Sequence, residues 1–190
     1  MAQDDLQTAA MSSNILAGKR GLVMGVANNR SIAWGIARAA RAAGAELAFT
    51  YQGEALEKRV RPLAAELDAA VVGHCDVTDP ASIDAVFAEV GRLWGKLDFV
   101  VHCIAFSDKD ELTGRYVDTS EGNFSKSMLI SCYSFTAIAQ RAEKLMTEGG
   151  LPCGRHEEPL RARHFGRRQG LTPPGKDLRG RWSWTPSRTA

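Results

Sequence analysis

Residues 21–35 read Gly21-Leu22-Val23-Met24-Gly25-Val26-Ala27-Asn28-Asn29-Arg30-Ser31-Ile32-Ala33-Trp34-Gly35, and this stretch decides the fold class. Gly21 to Val26 is a short apolar run carrying a glycine near its end, the form of a parallel strand buried on both faces. Gly25 lets the chain turn tightly off that strand. Ser31 is placed to cap a helix, with an apolar face expected from Ile32, Ile36, Ala39 and Ala40. The first N–H groups and the positive dipole end of such a helix suit a pyrophosphate. Gly35, one turn on, would let the helix pack closely against the sheet. The loop is not GxGxxG, so the general dinucleotide fingerprint does not match.

Working outward, the same alternation recurs. Glu46–Tyr51 is a second strand, and a charged helix is expected from about Glu54 to Leu67. Ala70–His74 reads as a third strand. Asp79 is placed to cap the next helix with Pro80 at its first position, where a missing N–H costs nothing. In that helix Ile83, Val86, Phe87, Val90, Leu93 and Trp94 fall on one face. Leu97–Ile104 makes a fourth strand, and a long helical pattern covers about Glu121 to Met146. Strands alternating with helices imply an α/β fold, a Rossmann-like doubly wound parallel sheet, because parallel strands need crossover connections. Ligands in such sheets sit at the carboxyl ends of the strands, in the crevice where strand order reverses, here between the first and fourth strands. The chemistry is therefore expected after Val26, after Tyr51, around Cys75–Val77 and after Ile104.

Composition excludes other classes and divides the chain. Its 190 residues are 44% hydrophobic and 24% charged with a net charge of +2, which is ordinary for a soluble domain. The first 150 residues carry 15 basic and 19 acidic side chains, a net of −4; the last 40 carry nine and three, a net of +6. Those 40 also hold five of the seven prolines and no Ile, Val, Tyr or Met. Cys75, Cys103, Cys132 and Cys153 form no CxxC pair, so small buried thiols in a reducing compartment are expected and a metal site is not. No apolar run approaches the roughly 20 residues of a membrane helix, and the acidic N-terminus lacks the order of a signal peptide. A cytoplasmic, soluble protein without membrane contact is expected. Residues 1–14 read as a flexible leader with Met11 as a candidate start, 15–150 as the nucleotide-binding domain and 151–190 as an irregular basic tail.

The segments Gly25–Ala37, Gly44–Gln52, Cys75–Asp84 and Val100–Leu112 together closely resemble the NADH-dependent enoyl-acyl carrier protein reductases of bacterial type II fatty acid synthesis. That family is a divergent branch of the short-chain dehydrogenases. The resemblance runs from about Ser13 to Gly150. It implies reduction of the trans-2 double bond of an enoyl-acyl carrier protein, NADH as cofactor and a homotetramer. It implies cofactor roles for Gly25, for Ser31 and Ile32 on the pyrophosphate, and for Gln52 near the adenosine. By the same resemblance Asp76 and Val77 flank the adenine, Ile104 lies by the nicotinamide ribose, and Ser107 begins the substrate loop. Ala105 stands where many members carry glycine, placing an extra methyl near the nicotinamide. Strand two ends Thr50-Tyr51-Gln52, with neither the carboxylate that binds a ribose 2′-OH nor an arginine placed for a 2′-phosphate.

The family's catalytic tyrosine, separated by six residues from a lysine (Y-x6-K), cannot be placed, so no catalytic residue is assigned. No tyrosine follows Tyr133, whose i+7 residue is Gln140; Tyr51 and Lys58 have the spacing, but Tyr51 ends strand two on the adenosine side. Beyond Gly150 neither strand alternation nor helical periodicity is visible, and the fold is expected to be truncated after about four strands. Strand four would then be an exposed edge, an aggregation hazard, in a poorly soluble chain with weak NADH affinity and no reductase activity. The Arg-, Gly- and Pro-rich tail has the composition of a GC-rich gene read out of frame, and a frameshift near Gly150 is the expectation. Arg167, Arg168, Trp182 and Trp184 raise the question of nucleic acid, but a +6 charge without a motif reads as a solvated segment, and no nucleic-acid partner is expected. The alternative function is a non-catalytic dinucleotide-binding remnant, or another short-chain dehydrogenase.

Overall fold

A computed structural model describes residues 14–147, 149–154, 175–176 and 182–183. The chain divides into two units: Met1–Arg155, which holds a five-stranded parallel sheet, and His156–Ala190, which holds a two-stranded ladder. In the first unit β1 (Arg20–Met24), β2 (Glu46–Tyr51), β3 (Ala70–His74), β4 (Phe99–His102) and β5 (Leu151–Gly154) are ordered β3-β2-β1-β4-β5. All four pairings are parallel, and β1 is central, with Leu22 opposite Ala48 on one side and Val100 on the other. The doubly wound arrangement expected from the alternation is the one observed.

The apolar run of β1 is continuous because both its faces are covered. Leu22 and Met24 join a cluster with Ile83, Val86, Val90 and Ile138, while Val23 joins the opposite one with Ala33, Ala37, Phe49 and Val60. Successive side chains of a strand point to opposite faces, so one strand feeds two cores. Helices α1 (Ile32–Ala42) and α2 (Glu54–Glu66) supply the second cluster, and α3 (Pro80–Trp94) and α5 (Ser134–Ala142) the first.

The helix faces differ in part from expectation. On α1 the buried residues are Ala33, Trp34, Ala37 and Ala40, whereas Ile32 is 58% and Ile36 37% exposed. Small alanines let the helix lie close on the sheet and turn the isoleucines outward. Gly35 shares that outer side: a Cβ added there would meet nothing within 4 Å, so Gly35 is not the close-packing glycine the sequence suggested. On α3 the expected face is buried at Ile83, Val86, Phe87 and Val90, but Leu93 near its end is exposed. The cap of α3 is as expected, with Pro80 first and Asp79 accepting from Ala81 N at 2.9 Å.

The long fourth helix is interrupted. Helix α4 (Glu121–Met128) passes through a π turn at Leu129–Tyr133 before α5 continues. At that turn Ser134 Oγ donates to Ile130 O at 2.6 Å, a side-chain bond competing with the regular ladder. Among the described residues no disulfide is formed by Cys75, which is buried, or by Cys103 and Cys132, which are half-buried. Among the described residues no helix is long and apolar enough to cross a membrane.

The expectation that strand four is the sheet edge is corrected. β5 pairs with β4 from Phe99 opposite Leu151 to His102 opposite Gly154, so β4 has a partner on both sides. Pro152 hid this strand, because proline removes a ladder donor and weakens the alternation signal; it is tolerated on the outermost strand, where one side needs no donor. The stretch expected to be irregular also contains β6 (Gly175–Lys176) paired antiparallel with β7 (Trp182–Ser183). The remainder of residues 155–190 and the leader 1–13 lie outside the described residues.

At the N-terminal end of the sheet, β1 and β4 are locked by Asp98. Its carboxylate accepts from Arg20 N at 2.9 Å and Lys19 Nζ at 3.0 Å, and its own N–H donates to Arg20 O at 2.9 Å. Burial works against the charge but is outweighed by the Arg20 N–H and Lys19, and the carboxyl is held below its ordinary range. The stability this contributes is fully present above about pH 4 and is lost as pH falls through the lowered folded value. Asp98→Asn is therefore expected to flatten the acid limb: urea melts at pH 7 and pH 3 should show a smaller loss of stability for the variant than for the parent chain.

Candidate functional site

The crevice follows from the central place of β1. Where β1 ends, Gly25 adopts φ +93°, and a Cβ there would lie 2.1 Å from Cys103 O on the chain leaving β4. Only glycine accommodates both the backbone angle and the approach. The two strand ends thus diverge around a cavity of about 280 Å³. One wall is Gly25, Ser31, Ile32, Ala33 and Ile36; the other is Val101 to Ala105.

The loop between β1 and α1 is held by its own side chains. Asn28 Oδ1 accepts from Arg30 N at 2.8 Å, and Ser31 Oγ donates to Asn28 O at 2.7 Å. Ser31 does occupy the N-cap position in extended backbone, but its side chain makes no cap bond to the helix. Its hydroxyl is turned back into the loop instead. The first amides of α1, those of Ile32 and Ala33, precede the helical ladder and have no acceptor within it. Both residues line the cavity. These donors at a positive helix end beside apolar Ile32, Ile36 and Ile104 fit a ligand that is anionic at one point and apolar at another.

A second group of expected residues gathers at the ends of β2 and β3, outside that cavity lining. Asp76 Oδ1 accepts from Thr78 N at 2.8 Å and Thr78 Oγ1 at 2.7 Å, and Asp76 N donates to Ser82 Oγ at 2.9 Å. The Thr78 bonds, opposed by burial and helped by Gln52, lower the carboxyl below its ordinary range. Gln52 is thus near enough to Asp76 to favour its charged form. Val77 packs against the core beneath. The neighbouring Cys75 is buried, and burial followed by the Asp76 charge pushes its thiol up to about 11, so it is not a nucleophile at neutral pH.

Ser107 falls in neither group. It bonds the side chain of Asn123 on α4, whose Nδ2 donates to Ser107 Oγ at 3.1 Å and to Glu111 Oε2 at 3.1 Å, while Asn123 Oδ1 accepts from Asp108 N at 2.9 Å. Buried Asn123 thus gathers the segment after β4 from both ends, a role sequence reasoning missed because a lone asparagine in a helix carries no signature. Also missed was His102, buried at the end of β4 and lining the cavity, with Nε2 2.8 Å from Ser134 Oγ. The Ser134 hydroxyl spends its one proton on Ile130 O, so the His102 ring is the donor in this pair. A polar residue inside the Phe99–Ile104 apolar run was the available signal. No group of three or more metal-ligating side chains occurs among the described residues.

Against known proteins, the sequence model of the family described as Enoyl-(Acyl carrier protein) reductase matches residues 25–152. A Rhizobium meliloti protein named enoyl-acyl-carrier-protein reductase (NADH) 1 is 66% identical over 141 residues, covering 74% of this chain and 52% of that protein. Its Rickettsia bellii counterpart is 57% identical over 140 residues, 74% of this chain and 53% of its own length. The crystal structure of the Anaplasma phagocytophilum reductase in complex with NAD superposes with a TM-score of 0.73 at 55% identity, over 76% of this chain and 55% of that one. The Bacillus cereus reductase with NADP+ and an indole naphthyridinone gives 0.71 at 48%, over 74% and 55%. The chain spans about half the length of the curated relatives it matches.

Two glycines of the fold-deciding stretch should behave oppositely. Gly25→Val is expected to lower stability by at least about 2 kcal/mol from the backbone angle alone, with the Cys103 clash in addition. Gly35→Ala, in an exposed helical position with open space, should raise it by about 0.5–1 kcal/mol. Urea denaturation followed by circular dichroism measures both.

Proposed function

The chain belongs to the enoyl-(acyl carrier protein) reductase family, and from that membership we propose that residues 15–150 form the dinucleotide-binding part of an NADH-dependent enzyme that reduces the trans-2 double bond of enoyl-acyl carrier proteins. The observation carrying this reading is the N-terminal end of α1, whose first residues Ile32 and Ala33 line an apolar cavity between β1 and β4. In this proposal Gly25 keeps the β1 end free of side chain, and the amides after Ser31, with Ile32 as apolar wall, take the pyrophosphate. Asp76 accepts from the adenine amino group, with Val77 and Gln52 beside it. Ile104 lies by the nicotinamide ribose, and Ser107, steadied by Asn123, begins the acyl-binding side. Bound NADH would supply the hydride. The lowered Asp76 pKa supports an acceptor that stays ionised at neutral pH.

The sequence places no Tyr-x6-Lys pair on a helix after the fourth strand, and on that reading this chain by itself is proposed to bind NADH without turning over. Phe124, Met128, Leu129 and Tyr133 expose apolar surface on α4 and the π turn, which supports the family's homotetramer for the whole protein. Titration of the purified chain with NADH, followed by nucleotide fluorescence, is expected to saturate. Adding an enoyl thioester is expected to leave NADH unoxidised. A chain that melts cooperatively but does not bind NADH would overturn the dinucleotide reading, and steady oxidation would overturn the inactivity.

The out-of-frame origin of the tail remains a proposal supported by its composition. The family match extends to residue 152, which is compatible with a change of frame close to Gly150. Translating the coding DNA past that point in the other two frames should yield a family-like segment; its absence ends the idea.

A further inference from the structure

At the corner where β2 ends and α2 begins, three side chains from two elements meet. Tyr51 closes β2, and Glu57 and Arg61 lie one turn apart on α2. Arg61 Nε donates to Glu57 Oε1 at 2.8 Å, a second guanidinium nitrogen grips the same oxygen, and Cζ stands 6.0 Å from the centre of the Tyr51 ring. The Glu57 side chain is 26% exposed and that of Arg61 59%. The corner therefore holds a cation already matched by an anion.

NAD and NADP differ only by the phosphate ester on the adenosine 2′-oxygen. In doubly wound sheets that oxygen lies at the end of the second strand, where a carboxylate accepts from a hydroxyl or an arginine takes a phosphate. Here β2 ends without either in its own last residues, Thr50-Tyr51-Gln52. The carboxylate and the arginine come instead from α2, with the guanidinium 6.0 Å from the centre of the Tyr51 ring. We propose that Glu57 is a specificity-determining residue, which occupies Arg61 and repels a 2′-phosphate so that the site takes the dinucleotide lacking it. This rests on the dinucleotide reading above. Without the Glu57 charge, Lys58, Arg59 and Arg61 outnumber Glu54, the other acidic residue in the first turn of α2, and the corner would be net cationic. An exposed pair of this kind adds little to stability, so its carboxylate can be neutralised without unfolding the helix. Glutamine keeps the shape and the hydrogen-bonding reach of glutamate.

The test compares Kd for NADH and for NADPH in the parent chain, in Glu57→Gln and in Glu57→Gln with Arg61→Ala, with thermal melts confirming that each folds. The parent is expected to favour NADH. Glu57→Gln should tighten NADPH by about tenfold relative to NADH, the gain shrinking as salt is raised and vanishing when Arg61 is also removed. An unchanged NADPH-to-NADH ratio in Glu57→Gln, or a gain that survives without Arg61, overturns the proposal and leaves dinucleotide binding intact. If the folded parent binds neither coenzyme, the dinucleotide reading itself fails and the proposal falls with it.

Discussion

The approach of Gly25 to Cys103 O organises the site, because it sets how closely β1 and β4 run as they leave the sheet. The two strands pair through Met24 opposite His102, and Cys103 N still donates to Met24 O at 3.1 Å. Beyond that bond the chains separate, one toward α1 and the other toward the segment gathered by Asn123. The cavity is what the separation leaves. A side chain at residue 25 would push the strands apart one residue too early, and the amides of Ile32 and Ala33 would no longer face the β4 end across the same space.

Around this point, packing and ligand-facing roles are divided within single elements. Helix α1 turns Ala33, Ala37 and Ala40 to the sheet and its isoleucines to the crevice, while Ala39 is exposed. Trp34 adds bulk on the packed side, edge-on to Phe49 at 6.5 Å between ring centres. The exposed Ile32 and Ile36 line the cavity between β1 and β4. β4 is divided in the same way: Val100 and Val101 serve opposite cores, while His102 at its end is held by Ser134 under the π turn. The irregular helix geometry there provides the buried hydroxyl that receives the ring N–H. Further along the chain, Arg141 spans from α5 to Asp84 on α3 with Nε 2.6 Å from the carboxylate, tying together the helices that cover this face.

Much of this was legible from residue patterns. Two strands, Glu46–Tyr51 and Ala70–His74, and the Asp79-Pro80 start of α3 have the limits that alternation, composition and cap chemistry indicate. Gly25 and Ser31, singled out by their place after the first strand, and Ile32 and Ile104, singled out by the family resemblance, line one cavity where the strand ends converge. Less legible were features whose signal is spread over distant residues. Asn123 and Ser134 are common helix residues until their partners arrive from the β4 end, and β5 carries a proline that conceals its pairing with β4.

The sequence by itself determined the parallel α/β order, the position of the crevice and the glycine at its mouth, because strand period, crossover need and backbone angle are local properties. Tertiary structure alone decided which side of α1 is buried, that Gly35 faces open space and that Ser31 bonds its loop in place of the helix amides. It also decided that β4 has partners on both sides and that Arg61 is matched by Glu57 beside Tyr51. Helical periodicity identifies an apolar face but not its rotation toward the sheet. That rotation depends on how closely neighbouring side chains let the backbones approach, and here small alanines packed on β1 and β2 settled it.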